Sequence, residues 1–317
     1  METTMTNKQF HDKVSMNYYH LDPRWCSHKD FDYVVESGMV NSLRLTMDAY
    51  GTTAYGCKKA KVNGMPVWLV PPIFLPANNS IEGYIEGLAK FVDKLKAEDL
   101  WDTVVGFQWD EPLLRRGHTN DDLLTMTKAV SETFGKRIFV NFSLYEIAGK
   151  RGNDGDPDFQ WLLRKDCSGY ITDVGYDLYG FDMRPENQDK IQAALQKTGG
   201  QNGVELKTAT ELYEYFTNVM LDLMENRDTV RVWYYPCAYD CKPHGGVDMD
   251  EGYAIGHLEG YAELLKKQKN PGGLCVFTYK GCLDDHIHPK CDREKWDKYV
   301  EVSKKLTKEF NEMTINL

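Results

Sequence analysis

Short apolar runs alternate with helix-period stretches along the whole chain. Strands are predicted over Val14–Tyr19, Asn41–Met47, Met65–Phe74, Thr103–Trp109, Arg137–Leu144, Gly169–Tyr176, Thr229–Cys237 and Gly272–Tyr279. Between them, apolar residues recur at helical spacing, as Leu88, Phe91, Val92 and Leu95 do within Ile81–Ala97. The same pattern predicts helices over Phe31–Gly38, Asp121–Phe134, Pro185–Thr198, Thr208–Asn226, Tyr253–Gln268 and Arg293–Phe310. Gly38 supplies a stop, and Asn120 is the expected N-cap of its helix.

Strict alternation of strand and helix favours a parallel sheet with crossover helices. Eight such units over 317 residues match a (β/α)8 TIM barrel of ~250 residues with insertions. The rival is a doubly wound open sheet, which usually carries a glycine-rich phosphate loop after its first strand. Here that strand runs into Tyr18-Tyr19-His20-Leu21-Asp22-Pro23, without a glycine. No linker or low-complexity tract divides the chain. The expectation is one α/β barrel domain over residues 1–317, with its core at about 10–312.

Composition narrows the partners. Apolar residues make up 42% and aromatics 12%, which excludes a disordered chain. There are 38 Lys and Arg against 48 Asp and Glu, a net charge of −10. Nucleic acid is therefore not the expected partner, since phosphate neutralisation needs a basic surplus. No apolar run reaches the ~18–20 residues that span a bilayer. Met1–Phe10 is polar, so no Sec signal is read, and a cytoplasmic location or a non-Sec route is expected.

In a barrel the reacting groups lie at the C-terminal strand ends. Those ends carry Asp48 and Tyr50 after strand 2, and Trp109, Asp110 and Glu111 after strand 4. Asn141 and Tyr145 follow at strand 5, then Tyr176 and Asp177 at strand 6. Trp233, Tyr235 and Asp240 come at strand 7, and Tyr279 and Lys280 at strand 8. Acids and aromatic rings dominate, with neither a basic cluster nor a glycine-rich cradle for phosphate. Aromatic faces stack on sugars, and paired carboxylates serve glycosidic chemistry. Two adjacent acids in a half-buried pocket raise the pKa of one, which suits a general acid. Lys280 offers a Schiff-base alternative, although a Lys there is more often a solvated end residue.

The Trp109-Asp110-Glu111-Pro112 segment resembles the fourth-strand motif of (β/α)8 glycoside hydrolases, whose acid/base Glu sits at this strand end. Two branches compete. Retaining cellulase-like and galactosidase-like barrels have Asn-Glu there, with a nucleophilic Glu on strand 7. Here Asp110 replaces the Asn, and the nearest acid to strand 7 is Asp240. The substrate-assisted group comprises chitinase-like enzymes and N-acetylhexosaminidases. The hexosaminidases have an adjacent Asp-Glu pair, as Asp110-Glu111 is. Val174-Gly175-Tyr176-Asp177 resembles the chitinase Met-x-Tyr-Asp motif, with Val for Met.

This resemblance implies Glu111 as acid/base and Asp110 as acetamide orienter or pKa partner, with Tyr176 and Asp177 as helpers. Trp109, Tyr50, Asp48, Asn141, Tyr145, Trp233, Tyr235, Asp240 and Tyr279 are the candidate sugar contacts. The expected substrate is an amino-sugar glycan of chitin or peptidoglycan type, cleaved without a cofactor. The alternatives are a retaining glycosidase of plain sugars and a barrel that binds glycan without cleaving it.

Two late loops are rich in metal-ligand types. One holds Cys237, Cys241 and His244, the other Cys282, His286, His288 and Cys291. Neither has the C-x2-C spacing of a structural zinc site, so they are weak candidates and no metal is assigned. Without a signal, the eight cysteines are expected as thiols, with Cys275 in the core. His20 and His118 stand alone in the sequence and earn no role beyond rim contacts.

Overall fold

The computed structural model describes residues 13–72, 74, 80–113, 118–148, 162–178, 206–238, 251–277 and 296–313. Eight parallel strands run through them: β1 Ser15–Tyr18, β2 Leu43–Thr46, β3 Val67–Val70, β4 Val104–Asp110, β5 Arg137–Ser143, β6 Asp173–Asp177, β7 Arg231–Tyr234 and β8 Pro271–Val276. The ladder order is β1-β8-β7-β6-β5-β4-β3-β2. Side chains help close the remaining seam between β1 and β2. Met16 O accepts from the backbone N–H of Asn41 (3.1 Å) and of Ser42 (3.3 Å). Asn41 Oδ1 accepts from Met16 N–H at 2.6 Å. The chain is a (β/α)8 TIM barrel, as the alternation predicts.

Helices α1 His28–Ser37, α2 Tyr50–Val62, α3 Ile81–Ala97, α4 Asn120–Phe134, α5 Leu144–Ala148, α6 Ala209–Asp222, α7 Glu251–Lys266 and α8 Asp297–Glu312 accompany the strands. Their starts follow capping chemistry. Ser27 and Ser80 cap α1 and α3, and Thr208 forms a capping box with Glu211 on α6. The cap of α4 is Thr119, paired with Asp122, and not Asn120. Asn120 ties α4 to a neighbouring loop instead, donating to Leu162 O (2.9 Å) and accepting from Arg164 N–H (2.8 Å).

Several boundaries depart from the sequence pattern for physical reasons. β3 stops at Val70 because Pro71 and Pro72 have no N–H to donate. Gly169 lies in a turn, and β6 begins at Asp173. Helix α2 has no stripe of large apolar residues; it buries Thr53, Ala54, Gly56, Cys57 and Ala60. At Gly56 a Cβ would come 2.6 Å from Leu45 Cδ1, so the glycine permits the close approach of α2 to β2. The helix predicted over Pro185–Thr198 lies outside the described residues.

Strand periodicity sends alternate residues outward to the helices and inward to the barrel axis. Inside, Trp68, Phe139, Trp233, Tyr235 and Cys275 form a buried layer, with Phe139 and Trp233 stacked at 4.6 Å. Below them Asp173 accepts from Trp233 Nε1 (2.8 Å) and from Arg137 Nε (2.8 Å). Cβ atoms at Gly106 and Gly272 would overlap the Trp68 and Trp233 rings, so glycine makes room for both indoles. Among the described residues no helix is long and apolar enough to cross a membrane.

Candidate active site

The top layer of the barrel is polar. Asp110 ends β4, Asn141 is its register partner on β5, and Asp177 ends β6. Tyr19, the residue after β1, donates its hydroxyl to Asp110 Oδ2 at 2.8 Å. Asn141 Nδ2 donates to Asp110 Oδ1 (2.9 Å) and to Asp177 Oδ1 (2.8 Å). Both Asp110 oxygens are therefore held by neutral donors. Asn141 Nδ2 thus bridges the Asp110 and Asp177 carboxylates.

Beside this network opens a cavity of about 370 Å³, within the usual range for small-molecule sites. Loops after β1 to β4 wall it with Tyr19, His20, Arg24, Trp25, Asp48, Pro71, Pro72, Pro112 and His118. Arg44, Thr46, Val70, Gln108, Trp109 and Asp110 complete the wall. Arg24 pairs with Asp48, and its guanidinium lies 4.7 Å from the Trp25 ring centroid. Trp25 is 40% exposed at the rim, with the His20 ring tilted against it at 5.3 Å. Arg44 comes from β2, is 6% exposed, and stacks on Tyr19 at 3.9 Å. Burial, and then the Asp110 charge, raises the Tyr19 hydroxyl above the ordinary tyrosine range. Burial works against the Arg44 charge, but Tyr19 and Asp110 outweigh it and hold the guanidinium protonated.

Glu111 follows at the strand end with φ +44°, a left-handed conformation uncommon outside glycine. Such strain persists only where neighbours fix the backbone. Glu111 N–H donates to Asn141 O at 2.7 Å. Glu146, fully buried on α5, accepts from Leu113 N–H at 2.7 Å and from Ser143 N–H at 2.5 Å. One carboxylate thus ties the turn after Glu111 to the end of β5. Glu111 is 4% exposed and stands beside the cavity wall, not in it.

Of the sequence-predicted residues, the structure brings Asp110, Asn141 and Asp177 into one network and puts Asp48, Trp109 and Asp110 on the cavity wall. Five aromatic residues lie elsewhere. Tyr176 points to the helical layer, its hydroxyl donating to Tyr213 O at 2.8 Å. Tyr50 opens α2 and packs on Phe91, with its hydroxyl on Glu98 at 2.6 Å. Trp233 fills the barrel interior on Asp173, and Tyr235 is buried there accepting from Gln108 Nε2 at 2.7 Å. Tyr145 is 36% exposed on α5. Asp240, Tyr279 and Lys280 lie outside the described residues, as do Cys241, His244, Cys282, His286, His288 and Cys291. Cys237 is buried, its N–H donating to His257 Nδ1 at 3.4 Å. Among the described residues no cluster of His, Cys, Asp and Glu could hold a metal ion.

Tyr19, Arg24, Trp25, Arg44 and Gln108 were not picked out from sequence. Arg44 alone carried a signal: a charge inside the apolar run Leu43-Arg44-Leu45. His20 and His118, given no role beyond rim contacts from sequence, both line the cavity.

No family model matches the chain, and no curated protein matches it. Solved structures do. A GH5_18 protein of Streptomyces cattleya, in complex with GlcNAc, is 13% identical at TM-score 0.57, covering 94% of this chain and 79% of that one. A GH5_18 protein of Bifidobacterium longum, in complex with Manβ1-4GlcNAc, is 9% identical at TM-score 0.57, covering 97% and 80%. The fold they share with this chain is the (β/α)8 barrel. A β-glucuronidase of Ruminococcus gnavus is 11% identical at TM-score 0.54, covering 93% of this chain; this chain spans 50% of its length. At these identities the likeness is one of fold.

Proposed function

We propose that this barrel is a glycoside hydrolase acting at the mouth cavity, with Glu111 as general acid/base and Asp110 as its fixed partner. The observation that carries the reading is the Tyr19–Asp110–Asn141–Asp177 network at the C-terminal strand ends, beside a sugar-sized cavity. Asp110 faces the cavity with both oxygens oriented. Its remaining lone pairs are available to a substrate N–H or to positive charge at an anomeric carbon. Glu111 sits on a backbone turn fixed from two sides, the rigidity a proton-transfer group needs. Trp25 offers a stacking face for the sugar.

Two routes follow. In the first, the substrate's own acetamide attacks the anomeric carbon and Asp110 orients it, giving an amino-sugar hydrolase of chitin or peptidoglycan type. The adjacent Asp110-Glu111 pair favours it, whereas the outward Tyr176 removes the helper that the chitinase-like motif implied. In the second, Asp110 or Asp177 is the nucleophile of a retaining enzyme on plain sugars, favoured by the Asp177 carboxylate that Asn141 holds beside Asp110 at the mouth. A pair of aryl glycosides separates them, one with a 2-acetamido group and one with a 2-hydroxyl. The first route predicts turnover of the acetamido glycoside alone, and inhibition by a thiazoline tighter than substrate binding. Equal turnover of both, with a sugar adduct on Asp110 or Asp177, establishes the second. Glycan binding without turnover of either glycoside would mark a non-catalytic barrel.

A further inference from the structure

We propose that the sugar held in this cavity carries a carboxylate, received by Arg44; the inference rests on the glycosidase reading and adds the substrate class. Arg44 is 94% buried by its 6% exposure, lines the cavity, and has an Nε without a hydrogen-bond partner among the described residues. Among the described residues its one close aromatic contact is the Tyr19 ring, which covers one face of the guanidinium. The nearby acid does not neutralise it by contact. Asp110 is bonded to Tyr19 and Asn141 and makes no ion pair with Arg44. A buried cation without a bonded anion is costly, and an arriving carboxylate relieves that cost with charge-assisted hydrogen bonds.

The other cations on the wall do not compete for this role. Arg24 is paired with Asp48 at the outer rim. With a single guanidinium to offset them, the Asp110 and Asp177 charges repel a monoanion less than they would a phosphate dianion. Gln108 and His118, 0% and 3% exposed, lie on the same wall. The cavity therefore sets one buried cation in a polar wall, a setting a uronic acid fits.

The test is calorimetric titration of the full chain with glucuronic and galacturonic acids and with glucose and galactose, alongside hydrolysis of the matching aryl glycosides in both anomers. The inference predicts that the acids bind about 10- to 100-fold tighter than their neutral parents, the range of a charge-assisted pair. Arg44→Gln should abolish that preference, and Arg44→Lys should restore part of it. Neutral sugars binding as tightly as the acids to the wild-type protein would overturn the inference, whatever the variants do. So would a preference that survives Arg44→Gln in a folded variant. Hydrolysis of neutral glycosides alone would reject the carboxylate and keep the glycosidase. Uronic acid binding without hydrolysis of any glycoside would do the reverse.

Discussion

Glu146 gives the sharpest structural prediction. Its carboxylate is fully buried and accepts two backbone N–H groups, Leu113 at 2.7 Å and Ser143 at 2.5 Å. Glu146→Gln keeps one acceptor and sets an NH2 group against the other N–H. One buried donor is then unsatisfied, at about 1–3 kcal/mol. Glu146→Ala strands both donors and opens a void, so about 2–6 kcal/mol is expected from the donors alone. At roughly 2–4 °C per kcal/mol for a chain approaching this size, the Gln variant should melt several degrees lower. Urea denaturation checks the same order, wild type above Gln above Ala. Leu113 is two residues beyond Glu111, so releasing it also loosens the strained turn. In variants that remain folded, kcat on any accepted glycoside should fall more than KM rises. A Glu146→Ala protein within about 0.5 kcal/mol of wild type would refute the clamp.

Other consequences follow from the same geometry. Asn141→Ala removes the donor shared by Asp110 and Asp177, leaving two like charges without their bridge; kcat/KM should drop by about 10- to 100-fold, measured by steady-state kinetics. Burial pushes the Cys57 and Cys275 thiols up from 9.0 to about 12. The folded state keeps these protons, so their contribution is intact below about pH 9 and is lost as pH rises from there toward 12. Urea midpoints should decline across that window, and a thiol reagent at about pH 8 should leave both cysteines unmodified until the protein unfolds.

The barrel was legible because eight apolar runs, each bounded by turn residues, leave few topologies to consider. Helix α2 was not, since its buried face is built from small residues that give no amphipathic contrast. The carboxylates of the mouth were legible from their place at strand ends. Trp109 was legible in the same way, but Tyr176 was not, because neighbouring residues on a strand point to opposite faces and a single register step decides which. Tyr176 and Asp177 illustrate this: one faces the helices, the other Asn141 at the mouth. Trp233 and Tyr235 do point inward, but they sit below the polar layer and serve as packing. The cavity wall after β1 escaped notice because Tyr19, Arg24 and Trp25 follow no periodicity; only the fold gathers them.

The central claim is that this mouth breaks glycosidic bonds by proton transfer through Glu111. Chromophore release from a panel of aryl glycosides, neutral and acidic, with 2-hydroxyl and 2-acetamido groups, tests it most directly when wild type is run beside Glu111→Gln. The account predicts turnover by wild type of at least one glycoside and a fall of about 10²–10⁴-fold in the variant, with sugar affinity retained. A Glu111→Gln protein that works at the wild-type rate, or a wild-type protein that binds sugars and cleaves none of them, would contradict it.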